Sequence, residues 1–217
     1  MLGSSLRHFV ESDVFWLNFI DSTNEEIKRK AERFIKTTWV ISHSQTKGKG
    51  RNGKVWLSSE GNFTGSVIFF PNVKRAYYHL YGFFFGVALY NTVKKVLKDD
   101  VDIRLKWPND LIIENRKVAG ILLETTQIPN DKRIGLIAGI GVNLNSSPNL
   151  KTKSKKIYDT GCVSNFTSNA IDNVKFFKDF NNELIYLESY IDESNLIFIL
   201  ELWQKKSYEK GSIIQFS

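Results

Sequence analysis

The chain has 217 residues, 42% of them hydrophobic and 24% charged, enough for one sizeable core and outside the range of disordered or fibrous sequences. Its net charge of +7 and pI of about 9.3 suit anionic partners such as nucleotides, acidic proteins or nucleic acid. The lysines are nevertheless spread along the chain, and the densest group, Lys151, Lys153, Lys155 and Lys156, lies in a Ser/Thr-rich loop segment, so most of the excess reads as solvated surface. One cysteine, Cys162, excludes an internal disulfide and fits a cytoplasmic protein, and the N-terminus lacks the basic start and apolar run of a signal peptide.

In chain order, residues 14–20 read as a strand, and Asp21 to Glu26 as a helix start running to about Lys36. Residues 37–44 form a second strand, 45–55 a glycine-rich basic loop and 62–70 a third strand closed by Pro71-Asn72. Residues 76–93 carry no formal charge and approach the length of a membrane span; their His79, Gly82, Gly86, Asn91 and Thr92 favour a long, buried, aromatic helix. Short strands follow at 103–107, 110–114, 117–126 and 133–145, with a tight turn at Asn115-Arg116, as in an antiparallel meander. Residues 146–170 read as loop, 171–191 and 193–208 as helices, and 211–217 as one last strand. The expectation is an α+β fold, a mixed and largely antiparallel sheet flanked by helices.

Four clusters carry chemistry. Gly48-Lys49-Gly50-Arg51-Asn52-Gly53-Lys54 combines sharp bending with exposed N–H groups and cations, either an anion cradle or a basic surface loop. It lacks Walker spacing. Trp56 follows, a nucleobase platform or a core indole. Lys106-Trp107-Pro108-Asn109-Asp110 precedes Lys117 and Gly120; across a hairpin Asp110 and Lys117 approach each other as a surface ion pair or a catalytic pair, and Gly120 lets a flat ligand lie on the strand. Gly139-Ile140-Gly141-Val142-Asn143 marks a close backbone approach, with Asn143 able to donate and accept as an adenine edge requires. Ser22-Thr23-Asn24 has capping-box spacing to Glu25 and also offers small hydroxyls for a polar ring.

Taken together, Ser22-Thr23-Asn24, Gln45 before GKGRNGKVW, KWPNDLIIENRKVAGILLE and GIGVNLN resemble the biotin–protein ligases in order and spacing over roughly residues 15–145. The lipoate ligases share that fold but carry a different arginine/glycine signature. The resemblance implies a class II synthetase-like catalytic domain over 1–208, with 209–217 as the first strand of a C-terminal small β-barrel. It implies biotin activation by ATP and Mg²⁺ to biotinyl-5′-AMP, then transfer to a lysine of a biotin carboxyl carrier protein.

By the same resemblance, Ser22, Thr23, Asn24, Gln45, Gly48, Lys49, Lys117 and Gly120 bind biotin. Lys49, Gly50, Arg51, Trp56, Asn109 and Asn143 serve the nucleotide, and Arg51, Lys117 and Asp110 the catalysis; no residue is assigned as a metal ligand. Lys49, Asn52 and Lys54 depart from a family pattern richer in arginine, which loses bidentate forks but keeps charge. The 13 residues before the first strand are too few for a helix-turn-helix, so neither DNA nor membrane binding is expected. Exposed strands leave a homodimer or strand-to-strand carrier docking open. A nucleic-acid-binding module, another acyl ligase and a non-catalytic biotin-binding protein are the competing classes.

Overall fold

The computed structural model describes residues 8–129, 131–148, 159–189, 191, 194–208 and 211. The basic cluster at 151–156 and the expected strand beyond Gly211 lie outside them. Eight strands form one sheet: β1 (Asp13–Ile20), β2 (Thr38–Gln45), β3 (Phe63–Phe69), β4 (Ile103–Lys106), β5 (Asp110–Ile113), β6 (Arg116–Gln127), β7 (Ile134–Val142) and β8 (Asp159–Thr160). The order is β1-β2-β3-β7-β6-β5-β4, with β8 against β6. Among these strands β1–β2 and β6–β8 pair in parallel and the others antiparallel, so the sheet is mixed and largely antiparallel, as expected.

Among the described residues the helices are α1 (Thr23–Arg29), α2 (Leu80–Lys94), α3 (Asn173–Glu188) and α4 (Phe198–Lys205). Alternation along the strands sends one set of side chains to each face. Phe63, Val67 and Phe69 of β3 and Leu136, Ala138, Ile140 and Val142 of β7 join Phe84, Phe85, Phe177 and Phe180 in the main core beneath α2, α3 and α4. The opposite face carries a small cluster, Ile27, Ala31, Phe34, Val40, Ile68 and Ile137, under α1.

Several boundaries differ from the sequence reading. α1 stops at Arg29 rather than Lys36; a 3₁₀ turn at Ala31–Arg33 then buries Ala31 and Phe34 beside Ile27 and returns the chain to pair β2 with β1. α2 is shorter than the uncharged run, with a 3₁₀ turn at Arg75–Tyr77 before it, and no helix among the described residues is long and apolar enough to cross a membrane. The β5–β6 turn is Glu114-Asn115, both at positive φ (45° and 58°), the twist that two-residue hairpins require; Arg116 already belongs to β6. Part of the expected 146–170 loop is ordered as β8 and a 3₁₀ turn at Val163–Phe166.

Candidate functional site

Strand parity makes the floor of the site. On the face away from the main core, Ser66 of β3 lies opposite Gly139 of β7, and Gly139 opposite Leu122 of β6. The next row runs Thr64, Gly141, Gly120, Asp110 across β3, β7, β6 and β5. Three glycines therefore leave a flat, bare patch in the middle of the sheet. Two of them have no room for a side chain: a Cβ on Gly139 would strike the Asn24 amide, and one on Gly141 the Trp56 indole. A cavity of about 200 Å³ stands over this patch.

At one end α1 presents a buried polar cluster. Ser22 caps the helix, accepting from the Glu25 N–H at 3.5 Å, but its own N–H donates to Asp21 Oδ1 at 2.7 Å rather than to Glu25, so half of the expected capping box is made. The Thr23 hydroxyl stands 2.6 Å from that of Ser66 and 3.0 Å from Gln45 Oε1, which also accepts the Thr23 N–H at 2.8 Å. Gln45 Nε2 donates to Ser58 at 3.1 Å. Ser66 donates to Asn24 Oδ1, and Asn24 Nδ2 donates to Glu124 at 2.7 Å. Ser22, Thr23 and Asn24 are all buried beside the cavity, a set of fixed donors and acceptors suited to a polar ring.

The basic loop is a small hairpin rather than an open coil. Lys49 bridges Val55, the Gly50 N–H donates to Lys54 O at 2.7 Å, and the Trp56 N–H to Gly48 O at 2.9 Å. Its tip, Asn52-Gly53, has φ values of 55° and 73°, a left-handed pair that asparagine tolerates better than arginine. That gives Asn52 at this position a local backbone reason. The hairpin lays Trp56 across Gly141 and Gly120 and sets Lys49, Gly50, Arg51 and Lys54 on the cavity wall.

The other end is charged. Among the described residues, the lining there holds Arg51, Lys54, Lys106 and Lys117 against one carboxylate, Asp110, while Lys49 reaches back to Glu25 of α1. Lys117 Nζ lies 2.6 Å from Asp110 Oδ1, an oxygen sealed from solvent whose ion pair lacks hydrogen-bond alignment. Asn109 is pinned to Ile121 by two bonds, Nδ2 to O at 2.7 Å and the Ile121 N–H back at 3.0 Å; Arg51 reaches its Oδ1 at 3.4 Å. Lys106 is buried opposite Asp110 in the β4–β5 register. Burial pushes its ammonium below the ordinary lysine value; Asp110 opposes this, while Lys117 and Lys54 add to it.

The fold thus brings Ser22, Thr23, Asn24, Gln45, Lys49, Gly50, Arg51, Trp56, Asn109, Asp110, Lys117 and Gly120 around one cavity. Two expected residues stand off its walls. Gly48 is packed against the Trp56 backbone, with its carbonyl committed to the Trp56 N–H. Asn143 follows the end of β7 and is 3% exposed, its Nδ2 donating to Gly161 O at 3.0 Å. Lys106, Ser66 and Glu124 join the site beyond the residues that the sequence marks. Strand parity with Gly120 finds Glu124; Ser66 has the opposite parity to Gly65 of its own strand and meets Gly139 only through the β3–β7 register, and the burial of Lys106 leaves no mark in sequence.

Compared with known proteins, residues 16–143 match the model of the biotin/lipoate A/B protein ligase family. The chain is 28% identical over 195 residues to a biotin–acetyl-CoA-carboxylase ligase of Paracoccus denitrificans, spanning 89% of this chain and 80% of that one. It is 36% identical over 113 residues to the bifunctional ligase/repressor BirA of Bacillus subtilis, 52% of this chain but only 34% of that protein. Its fold matches the Leishmania major biotin protein ligase in complex with biotinyl-5-AMP (TM-score 0.75, 20% identity, 94% of this chain and 85% of that one). It likewise matches the Aquifex aeolicus biotin protein ligase in complex with biotin and ATP (TM-score 0.72, 23% identity, 90% and 78%). With its core motifs, its sheet and the matched segment in agreement, the chain belongs to the biotin/lipoate A/B protein ligase family.

Proposed function

We infer that the chain is a biotin–protein ligase that converts biotin and ATP to biotinyl-5′-AMP and transfers the biotinyl group to a lysine of a biotin carboxyl carrier protein. The observation that carries this reading is the polarity of the cavity: buried neutral hydrogen-bonding groups at the α1 end, four cations, Arg51, Lys54, Lys106 and Lys117, around the one carboxylate of the described lining at the other, and a bare glycine floor between. A ureido ring suits the first end, a triphosphate the second. We assign residues 1–208 to the catalytic domain and the reaction to the cytoplasm, where ATP is available.

In the first step a biotin carboxylate oxygen attacks the α-phosphorus and pyrophosphate leaves. Both reactants are anions, and Lys117, Arg51 and Lys106 offset their repulsion and the charge that develops in the transition state. Mg²⁺ would arrive with the phosphates and supply further charge neutralisation; Asp110, with its solvent-sealed oxygen, is the carboxylate on the cavity wall that suits it, since such ions are held by one or two carboxylates plus substrate oxygens. In the second step the carrier lysine amine attacks the acyl carbonyl and AMP departs. Asp110 is placed to orient that amine or take its proton. An Asp110→Ala enzyme given ready-made adenylate should therefore transfer slowly; transfer at the wild-type rate would remove Asp110 from this step.

Two further outcomes are expected. Thr23→Val keeps the shape but removes the hydroxyl from the Ser66–Gln45 cluster, so biotin affinity should fall roughly tenfold by calorimetry with folding retained. Because burial lowers the Lys106 pKa, its charge is lost before that of ordinary lysines as pH rises. The kcat/KM for ATP should accordingly decline on the alkaline side below the usual lysine range, and Lys106→Arg should move that decline upward. Comparing pyrophosphate release with biotin, lipoate and octanoate tests the substrate assignment: release with lipoate alone would reassign the site to another acyl ligase.

A further inference from the structure

Lys49, on the basic hairpin, points to α1 rather than into solvent. Its Nζ lies 2.9 Å from Glu25 Oε1, and the same oxygen receives Lys28 Nζ at 3.0 Å. Lys28 also reaches Glu124 Oε1 of β6 at 2.7 Å, while the other Glu124 oxygen accepts Asn24 Nδ2 at 2.7 Å. Charges alternate along the path, and the two ends meet different walls of the cavity: the hairpin that covers it and the α1 amide set against Gly139.

We propose that Glu25 and Lys28 are positioning residues: with Glu124 they form an ion-pair chain that fastens the basic hairpin to α1 and holds it closed over the bound adenylate. The proposal rests on the ligase reading for its ligand but not for its geometry. The acid–base behaviour agrees with the contacts. Lys49, then Lys28, holds the Glu25 carboxyl below its ordinary value; burial works against the Lys28 ammonium, but Glu124 and Glu25 together raise it. Glu25, Lys28 and Glu124 side chains are each 27–28% exposed and Lys49 is 50% exposed, so the chain should yield to salt. Its function is retention. Biotinyl-5′-AMP is a mixed anhydride that water destroys, and a fastened hairpin keeps it in place until the carrier amine arrives.

Hydrogen exchange on the ligand-free protein and stopped-flow release of biotinyl-5′-AMP test this in Glu25→Gln and Lys28→Met, with Lys28→Arg as the conservative control. Exchange of the Gly50 and Trp56 amides, which close the hairpin, should quicken in both variants with α1 and the sheet unchanged. Adenylate release should rise roughly three- to tenfold, the wild type should approach the variants as salt is added, and Lys28→Arg should stay near the wild type. Hairpin exchange and release that both stay within about twofold of wild type would overturn the proposal. So would faster exchange spread over α1 and the sheet, which would make these residues ordinary helix stabilisers. If hairpin exchange quickens but neither wild type nor variants bind the adenylate, the fastening stands and the ligand assignment falls.

Discussion

Replacing Lys117 by methionine is expected to slow formation of biotinyl-5′-AMP by roughly a hundred- to a thousandfold, or about 3–4 kcal/mol of transition-state stabilisation. Lys117 lies on the cavity wall beside the Gly120 floor, 6.0 Å from the Trp56 ring, and its charge is most valuable as a carboxylate oxygen and a phosphorus approach each other. The same change leaves Asp110, whose side chain is only 15% exposed, without its ion-pair partner, so some loss of thermal stability should accompany it. The double variant Lys117→Met/Asp110→Asn separates the two effects: it should regain stability and remain unable to make the adenylate. Recovery of adenylate formation in the double variant would mean that Lys117 acts through Asp110 rather than on the reactants.

Gly141→Ala should raise the KM values for ATP and biotin by roughly ten- to a hundredfold while leaving the protein folded. The added methyl would occupy the space of the Trp56 indole, a rigid ring that cannot yield by a rotamer adjustment of a chain end. Trp56 must lift, and the hairpin that carries it lifts too. Gly82→Ala on α2 is the internal comparison, because a Cβ there meets only the Leu123 side chain at ordinary contact distance, 3.4 Å and beyond, and alanine favours a helix. That variant should keep wild-type kinetics and melt no lower. Unchanged KM values in Gly141→Ala would place Trp56 outside the binding surface.

Most of the sheet was legible because β-strand parity, glycine placement and turn residues are local signals. The Asp110–Lys117 approach followed from the hairpin alone, although the turn sits one residue earlier than the sequence reading placed it and a bulge between Leu111 and Ile112 adjusts the register. The end of α1 is not legible because residues 30–36 keep a helical composition; what stops the helix is the need to bury Phe34 and reach β2, a tertiary demand. In the same way Asn143 read as a free polar edge, and its commitment to Gly161 depends on a segment 18 residues further along. The ion-pair chain from Glu124 to Lys49 was invisible for the same reason: its members come from β6, α1 and the hairpin, and no spacing rule joins them.

The central claim is tested most directly by incubating the purified chain with biotin, MgATP and a biotin carboxyl carrier domain and weighing the products by mass spectrometry. Both biotinyl-5′-AMP and a carrier heavier by one biotinyl group on a single lysine are expected. A chain that neither binds biotin nor yields either product would contradict it.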